Sequence, residues 1–268
     1  MATTRRILFL LAALFLYLYG SHSRAASMSD LWWNPNESGW GVNLIQQQDI
    51  IFATLFVYSP SGQPTWYVGS NMTLVSSSST QRTFTGGLYT TTGPWFGTFF
   101  NPNAVGVRQV GNITFVANSP FTGTLTYTID GVSLSKAIQR QTWRHITLGG
   151  TYYGAIDLLD GAACGNTGAN LQPFNAIQAI TATVNSNGLG GAITMTITDP
   201  NGVSTFSGSY TQYGSIYAAT GTLVSGGMSV PAAINDFSAD DDGIRGNLLA
   251  QVPGGCVLNL RFAAVRPG

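Results

Sequence analysis

From Phe121 to Ile129 the chain reads F-T-G-T-L-T-Y-T-I, with Phe121, Leu125, Tyr127 and Ile129 on one face and threonines on the other. Ile193, Met195 and Ile197 alternate with Thr194, Thr196 and Thr198 in the same way, and Ile113-Thr-Phe115 and Val42-Asn-Leu44 are shorter examples. A period of two places apolar side chains on one side of an extended strand and hydroxyls on the other. Ile50–Tyr58 is apolar at both alternations, which predicts a central strand buried on both faces. Turn chemistry separates the runs at short intervals. Asp130-Gly131 is a two-residue hairpin signal, because both residues tolerate positive φ. Ser59-Pro-Ser-Gly62, Asp199-Pro-Asn-Gly202 and Asp160-Gly161 are further turn clusters. A 3.6-residue period is absent, and Gln172–Thr181 is the one stretch that can be read as a short helix. The pattern predicts an all-β protein of antiparallel strands, folded as barrel or sandwich halves.

The N-terminus has a different pattern. Arg5 and Arg6 precede an unbroken apolar run of 13 residues, Ile7–Tyr19, too short to span a bilayer and within the length of a signal-peptide core. Small residues at Ser23 and Ala25 place the expected cleavage after Ala25. Residues 1–25 are therefore read as a leader, with no transmembrane segment after its removal. The expected location is the periplasm, the cell surface or the medium. The chain beyond Ala25 is longer than one small barrel needs. His145-Ile-Thr-Leu-Gly-Gly150 breaks the alternation, which predicts a Trp-rich β domain over 26–146 and a second β domain over 147–268. All six tryptophans precede this break, and both cysteines lie beyond it. The strings Phe84-Thr-Gly, Phe121-Thr-Gly and Phe206-Ser-Gly hint at duplication, and one large sandwich is the alternative architecture.

Charge narrows the function. Only 8% of residues are charged, against roughly 25% in an average soluble domain. Without the leader, eight basic residues face eleven acidic ones, and Lys136 and Glu37 are the chain's only lysine and only glutamate. No basic patch exists to neutralise phosphates, so a nucleic-acid partner is excluded. Cys164 and Cys256 are an even pair in an exported chain, which predicts a disulfide stapling the second domain.

The most distinctive stretch is Leu31-Trp-Trp-Asn-Pro-Asn-Glu-Ser-Gly-Trp-Gly41, followed by Phe52-Ala-Thr-Leu-Phe-Val-Tyr58, Gly62-Gln-Pro64 and Trp66-Tyr67. It resembles an N-terminal repeat of secreted bacterial β-rich proteins, with the pattern W-W-x-P-x-E-S-G-x-G and then F-A-x-x-F-x-Y-x-x-x-G-x-P-x-W-Y. The resemblance covers about residues 31–67 and implies export and a β fold, but no chemistry. From the residues alone the motif has two readings. Asn34-Pro35-Asn36 is a turn that Glu37 can lock by accepting backbone hydrogen bonds, with Gly39 and Gly41 admitting the Trp40 ring. Alternatively, Trp32, Trp33, Trp40 and Trp66 form a stacking surface for a sugar ring, with Asn34 and Glu37 binding its hydroxyls. By fold-level analogy with ligand-binding barrels of the lipocalin and avidin type, an Arg of a closing strand packs over a Trp of the first. Arg140 and Arg144 are the candidates.

Other chemistry finds less support. No second carboxylate is spaced to pair with Glu37 as in a glycosidase. His145 stands without a G-x-S-x-G elbow, and Gly149-Gly150 precedes strand-like sequence instead of a helix N-terminus. Asp236-Phe-Ser-Ala-Asp240-Asp241-Asp242-Gly243 is a weak calcium candidate through Asp240 and Asp242, but not an EF-hand, since Leu249 falls at its twelfth position. No cofactor is implied. The expectation is a non-enzymatic binding or accessory protein that takes a carbohydrate or another small ligand through its N-terminal aromatics, its partner a glycan or another cell-envelope component. The alternative is a structural or adhesive envelope protein, and more distantly a hydrolase.

Overall fold

The computed structural model describes residues 26–78, 80–160, 177–186, 190–200, 202–253 and 256–267. The expected leader and Cys164 lie outside the described residues. The chain forms two closed antiparallel barrels of eight strands each. The first comprises β1 (Asp30–Trp33), β2 (Gly41–Gln47), β3 (Ile50–Tyr58), β4 (Pro64–Ser77), β5 (Arg82–Thr92), β6 (Gly106–Ala117), β7 (Thr122–Ile129) and β8 (Val132–Arg140). The second comprises β9 (Gly150–Asp160), β10 (Gln178–Ser186), β11 (Gly191–Asp199), β12 (Gly202–Tyr213), β13 (Ile216–Ser225), β14 (Met228–Ala239), β15 (Gly243–Val252) and β16 (Cys256–Val265). Each barrel is an up-and-down meander in which every strand pairs with the next, and the last closes on the first: β8 on β1, β16 on β9. Closure leaves no free sheet edge, which removes the usual aggregation hazard of β proteins.

The alternation read from the sequence sorts side chains between inside and outside. Leu125 and Tyr127 point into the first barrel with Trp32, Val42, Leu44, Phe84 and Phe115. Ile193, Met195 and Ile197 point into the second with Phe206, Tyr210, Tyr217 and Phe262. The outer faces carry hydroxyl ladders, such as Thr126 opposite Ser135 and Thr128 opposite Ser133. The apolar filling of each barrel differs from the polar interior of a lipid-spanning barrel. Two expectations need correcting. Ile50–Tyr58 is not buried on both faces: Ile51, Ala53 and Leu55 are inside, while Ile50, Phe52, Phe56 and Tyr58 are 41–58% exposed on the outer wall. The described part of the possible helix Gln172–Thr181 is the start of β10, because its Ile and Thr positions alternate between the two faces of a sheet.

Both barrels are closed by the same device. In the first, Trp32 is fully buried, donates its ring N–H to the Met28 carbonyl (3.0 Å) and packs edge-on against Phe115 at 5.1 Å. Arg140, at the end of β8, stacks over the Trp32 ring at 4.9 Å and donates to the carbonyls of Ser27 and Ser29. In the second, the Tyr152 hydroxyl donates to the Leu148 carbonyl (2.7 Å), and Arg266 stacks over the Tyr152 ring at 5.2 Å. Arg266 also donates to the carbonyls of Thr147 and Gly149 (both 3.2 Å). The ring bonds the carbonyl four residues before it in each barrel, and the guanidinium bonds those three and five before it. The residue expected from fold analogy is thus Arg140; Arg144 instead makes an exposed pair with Asp241 (3.0 Å).

The latched ends of the two barrels meet. The Asp30 carboxylate accepts from Arg140 (3.0 Å) and, across the junction, from the backbone N–H (3.0 Å) and hydroxyl (2.9 Å) of Ser215. The Gly214 N–H donates to the Thr142 hydroxyl (2.9 Å), and Phe121 stacks on Tyr213 with centroids 4.9 Å apart. The opposite end of the first barrel, where the β1–β2, β3–β4, β5–β6 and β7–β8 loops lie, is a free mouth on the far side from the second barrel.

Candidate functional site

The motif of residues 31–41 builds this mouth. Asn34 accepts the Asn36 N–H on its side-chain oxygen (2.9 Å), and the Glu37 N–H closes the turn onto the Asn34 carbonyl (3.0 Å). Gly39 takes a φ of 120°, which a side chain would oppose. The turn delivers the Glu37 carboxylate to Lys136, which reaches in from β8 and donates to both oxygens (3.0 and 2.8 Å). The chain's only glutamate therefore pairs with its only lysine. The same carboxylate accepts the ring N–H of Trp40 (3.0 Å), and the half-buried Trp40 packs against the barrel core. Trp40 is thus a plug in the barrel mouth, held by a buttressed carboxylate. The sequence points Glu37 at backbone N–H groups; its partners are instead two side chains, one of them 99 residues away and hence invisible to local spacing.

Hydrogen bonding to Lys136 holds the Glu37 carboxyl below its ordinary value of about 4.5 and raises the Lys136 ammonium. A lowered carboxyl pKa stabilises the fold at all pH above the ordinary value, and that contribution fades as pH falls through the depressed one. The emission of Trp40 is therefore expected to stay constant from neutral pH down to the ordinary carboxylate range and to change only below it. Acid titration of Glu37→Gln should lack this step; an identical titration in the variant would show that the plug is held otherwise.

The tryptophans expected to share one surface occupy three places. Trp32 is in the core and offers no face to a ligand, because its flat ring fills the closed end of the barrel. Trp40 closes the mouth. Trp33 and Trp66 lie on the outer wall, in a row that sequence reasoning does not assemble. Trp32 pairs with Val42, Gly41 with Phe56, and Phe56 with Trp66, so register aligns Trp33, Gly41, Phe56 and Trp66 across β1 to β4 on one outward face. Phe56 and Trp66 are 48% and 47% exposed. Gly41 leaves a gap in the row, since it presents no side chain between Trp33 and Phe56. At about 4.8 Å per strand the row is roughly 14 Å long. The adjoining row places Asn43 opposite Thr54, and Tyr58 stands two residues beyond Phe56. No charged residue stands in either row. Sequence reasoning misses Phe56 and Tyr58 because an apolar run on both alternations reads as burial.

The remaining candidates are accounted for locally. Asp240 accepts the N–H groups of Asp242 (3.0 Å) and Gly243 (2.8 Å), forming a turn, and no group of three potential metal-ligating side chains occurs among the described residues. The Asp240 and Asp242 stretch is therefore a capped turn, with Asp241 drawn to Arg144. His145 is exposed in the segment between the barrels. Cys256 is buried at the start of β16, and no described cysteine is free. No protein-family model matches the chain, and no curated protein matches it.

Proposed function

We propose that this chain is an exported, non-enzymatic binding protein whose ligand is a neutral glycan, with the outer row Trp33, Phe56 and Trp66 as the contact surface. The observation that carries this reading is the row itself. Three aromatic rings lie across four paired strands on the outer wall, Trp33 half-buried and Phe56 and Trp66 exposed, with a glycine gap between the first two. Flat aromatic faces beside neutral amide and hydroxyl groups suit the apolar faces and hydroxyls of sugar rings. The absence of charge along both rows favours a neutral over an acidic polysaccharide. Export rests on the leader-like residues 1–25, and a Cys164–Cys256 disulfide would suit that route.

The test is a glycan array with the mature protein, followed by affinity electrophoresis in the best neutral polysaccharide. Trp66→Ala is expected to weaken binding about tenfold or more, as a lost stacking anchor does. Trp143→Ala, at an exposed ring in the segment between the barrels, should leave it unchanged. A clean negative for the wild-type protein overturns the glycan reading and favours a structural role in the envelope.

A further inference from the structure

One feature of the mouth takes no part in the row or the plug. Between Arg82 and Arg108 the chain carries no charged residue. The middle of this span is the loop joining β5 to β6, Gly93-Pro-Trp-Phe-Gly-Thr-Phe-Phe-Asn-Pro-Asn-Ala-Val105. Trp95 is 66% exposed, Phe96 91%, Phe99 92% and Phe100 56%. Rings so fully exposed stand clear of the barrel. They line no groove and cover no core, and a protein that stays in water gains nothing by presenting them.

We infer that this loop docks the protein on a lipid surface by inserting Trp95, Phe96, Phe99 and Phe100 into the headgroup and acyl boundary. Three observations favour a bilayer over a protein partner. First, Phe96 and Phe99 are more than nine-tenths exposed, so the rings project outward and fit a partner that yields around them. Second, the loop is turned by hydrogen bonds of its own, so its shape needs no protein partner. Both the N–H and the hydroxyl of Thr98 donate to the Trp95 carbonyl (3.2 and 3.0 Å). Asn101 caps a single 3-10 turn, Pro102–Ala104, with its side-chain oxygen on the Asn103 N–H (3.0 Å). Third, the charges at this end cancel in pairs: Glu37 with Lys136, and Arg108 with Asp130 at 2.6 Å. A neutral end neither repels an anionic leaflet nor depends on one, so attraction comes from aromatic burial alone, with Trp95 at the wet edge where tryptophan prefers to sit.

The experiment is cosedimentation of the mature protein with phosphatidylcholine vesicles, at low and high salt. Binding is expected at both, because no ion pair across the interface is there to be screened. Phe96→Ser with Phe99→Ser should reduce partitioning about tenfold or more. The double variant should retain the wild-type Tm and polysaccharide retention, whereas Trp66→Ala should lose retention and keep vesicle binding. Bromine-labelled lipid should quench the wild type more than Trp95→Phe. Failure of the wild type to sediment, binding that requires anionic lipid and vanishes in salt, or a wild-type dimer that the double variant abolishes would each overturn the inference.

Discussion

Arg140→Ala is expected to lower the Tm by about 10 °C or more, corresponding to about 3–5 kcal/mol. Arg140 is 1% exposed and gathers five partners: the Trp32 ring, the Asp30 carboxylate, and the carbonyls of Ser27, Ser29 and Pro120. Burial opposes its charge, and Asp30 compensates. Alanine would leave three carbonyls without this donor and a carboxylate without its cation, and an uncompensated charge is the costliest part. Pairing the change with Asp30→Asn should therefore recover part of the loss, a non-additivity expected of contacting groups. Arg144→Ala is the control. Its pair with Asp241 is exposed on both sides and should contribute little. Differential scanning calorimetry of the single and paired variants would decide; equal effects of Arg140→Ala and Arg144→Ala would refute the latch.

A second large effect is expected where the second barrel allows no side chain. Gly208 on β12 faces Gly221 on β13. A Cβ built at Gly208 would lie 2.7 Å from the Gly221 Cα and closer still to the Thr220 carbonyl oxygen, so the obstacle is backbone and cannot rotate away. The two glycines let adjacent strands approach and coil at this point of the wall, as barrel closure requires. Gly208→Val must separate paired strands and is expected to cost at least about 3 kcal/mol, the upper end of overpacking. Gly62→Ala meets only open space at its turn, though its φ of 77° makes it a test of backbone strain alone, and should cost less. Urea melts of both would check the order; equal midpoints would show that the glycine pair is not a closure point.

The barrels were legible because one-sided strands announce themselves: each threonine between two apolar residues in Phe121–Ile129 points outward. The likeness of the two barrels is not carried by the F-[ST]-G strings. Phe84 falls on the fifth strand of the first barrel, Phe206 on the fourth strand of the second, and Phe121 in a turn, so the F-[ST]-G strings mark no equivalent sites. The structural correspondence pairs Trp32 with Tyr152 and Arg140 with Arg266, residues more than a hundred positions apart in each pair, with a different ring in each barrel. Pattern reading along the chain cannot join residues that only closure brings together. The same limit hid the candidate site. Trp33, Phe56 and Trp66 become a row only through the register of β1 to β4, and Glu37 meets Lys136 only when β8 returns to β1.

Because the entry strand of each barrel lies beside its exit strand, the polypeptide enters and leaves at one point on the circumference. Such a body can be appended to another through a short tether without displacing any existing strand. The arrangement also makes it a natural subject for circular permutation, with the chain after Arg140 linked to Ala26 so that the carbonyls of Ser27, Met28 and Ser29 stay in place, and new termini opened at the solvent-facing turn Ser59–Gly62.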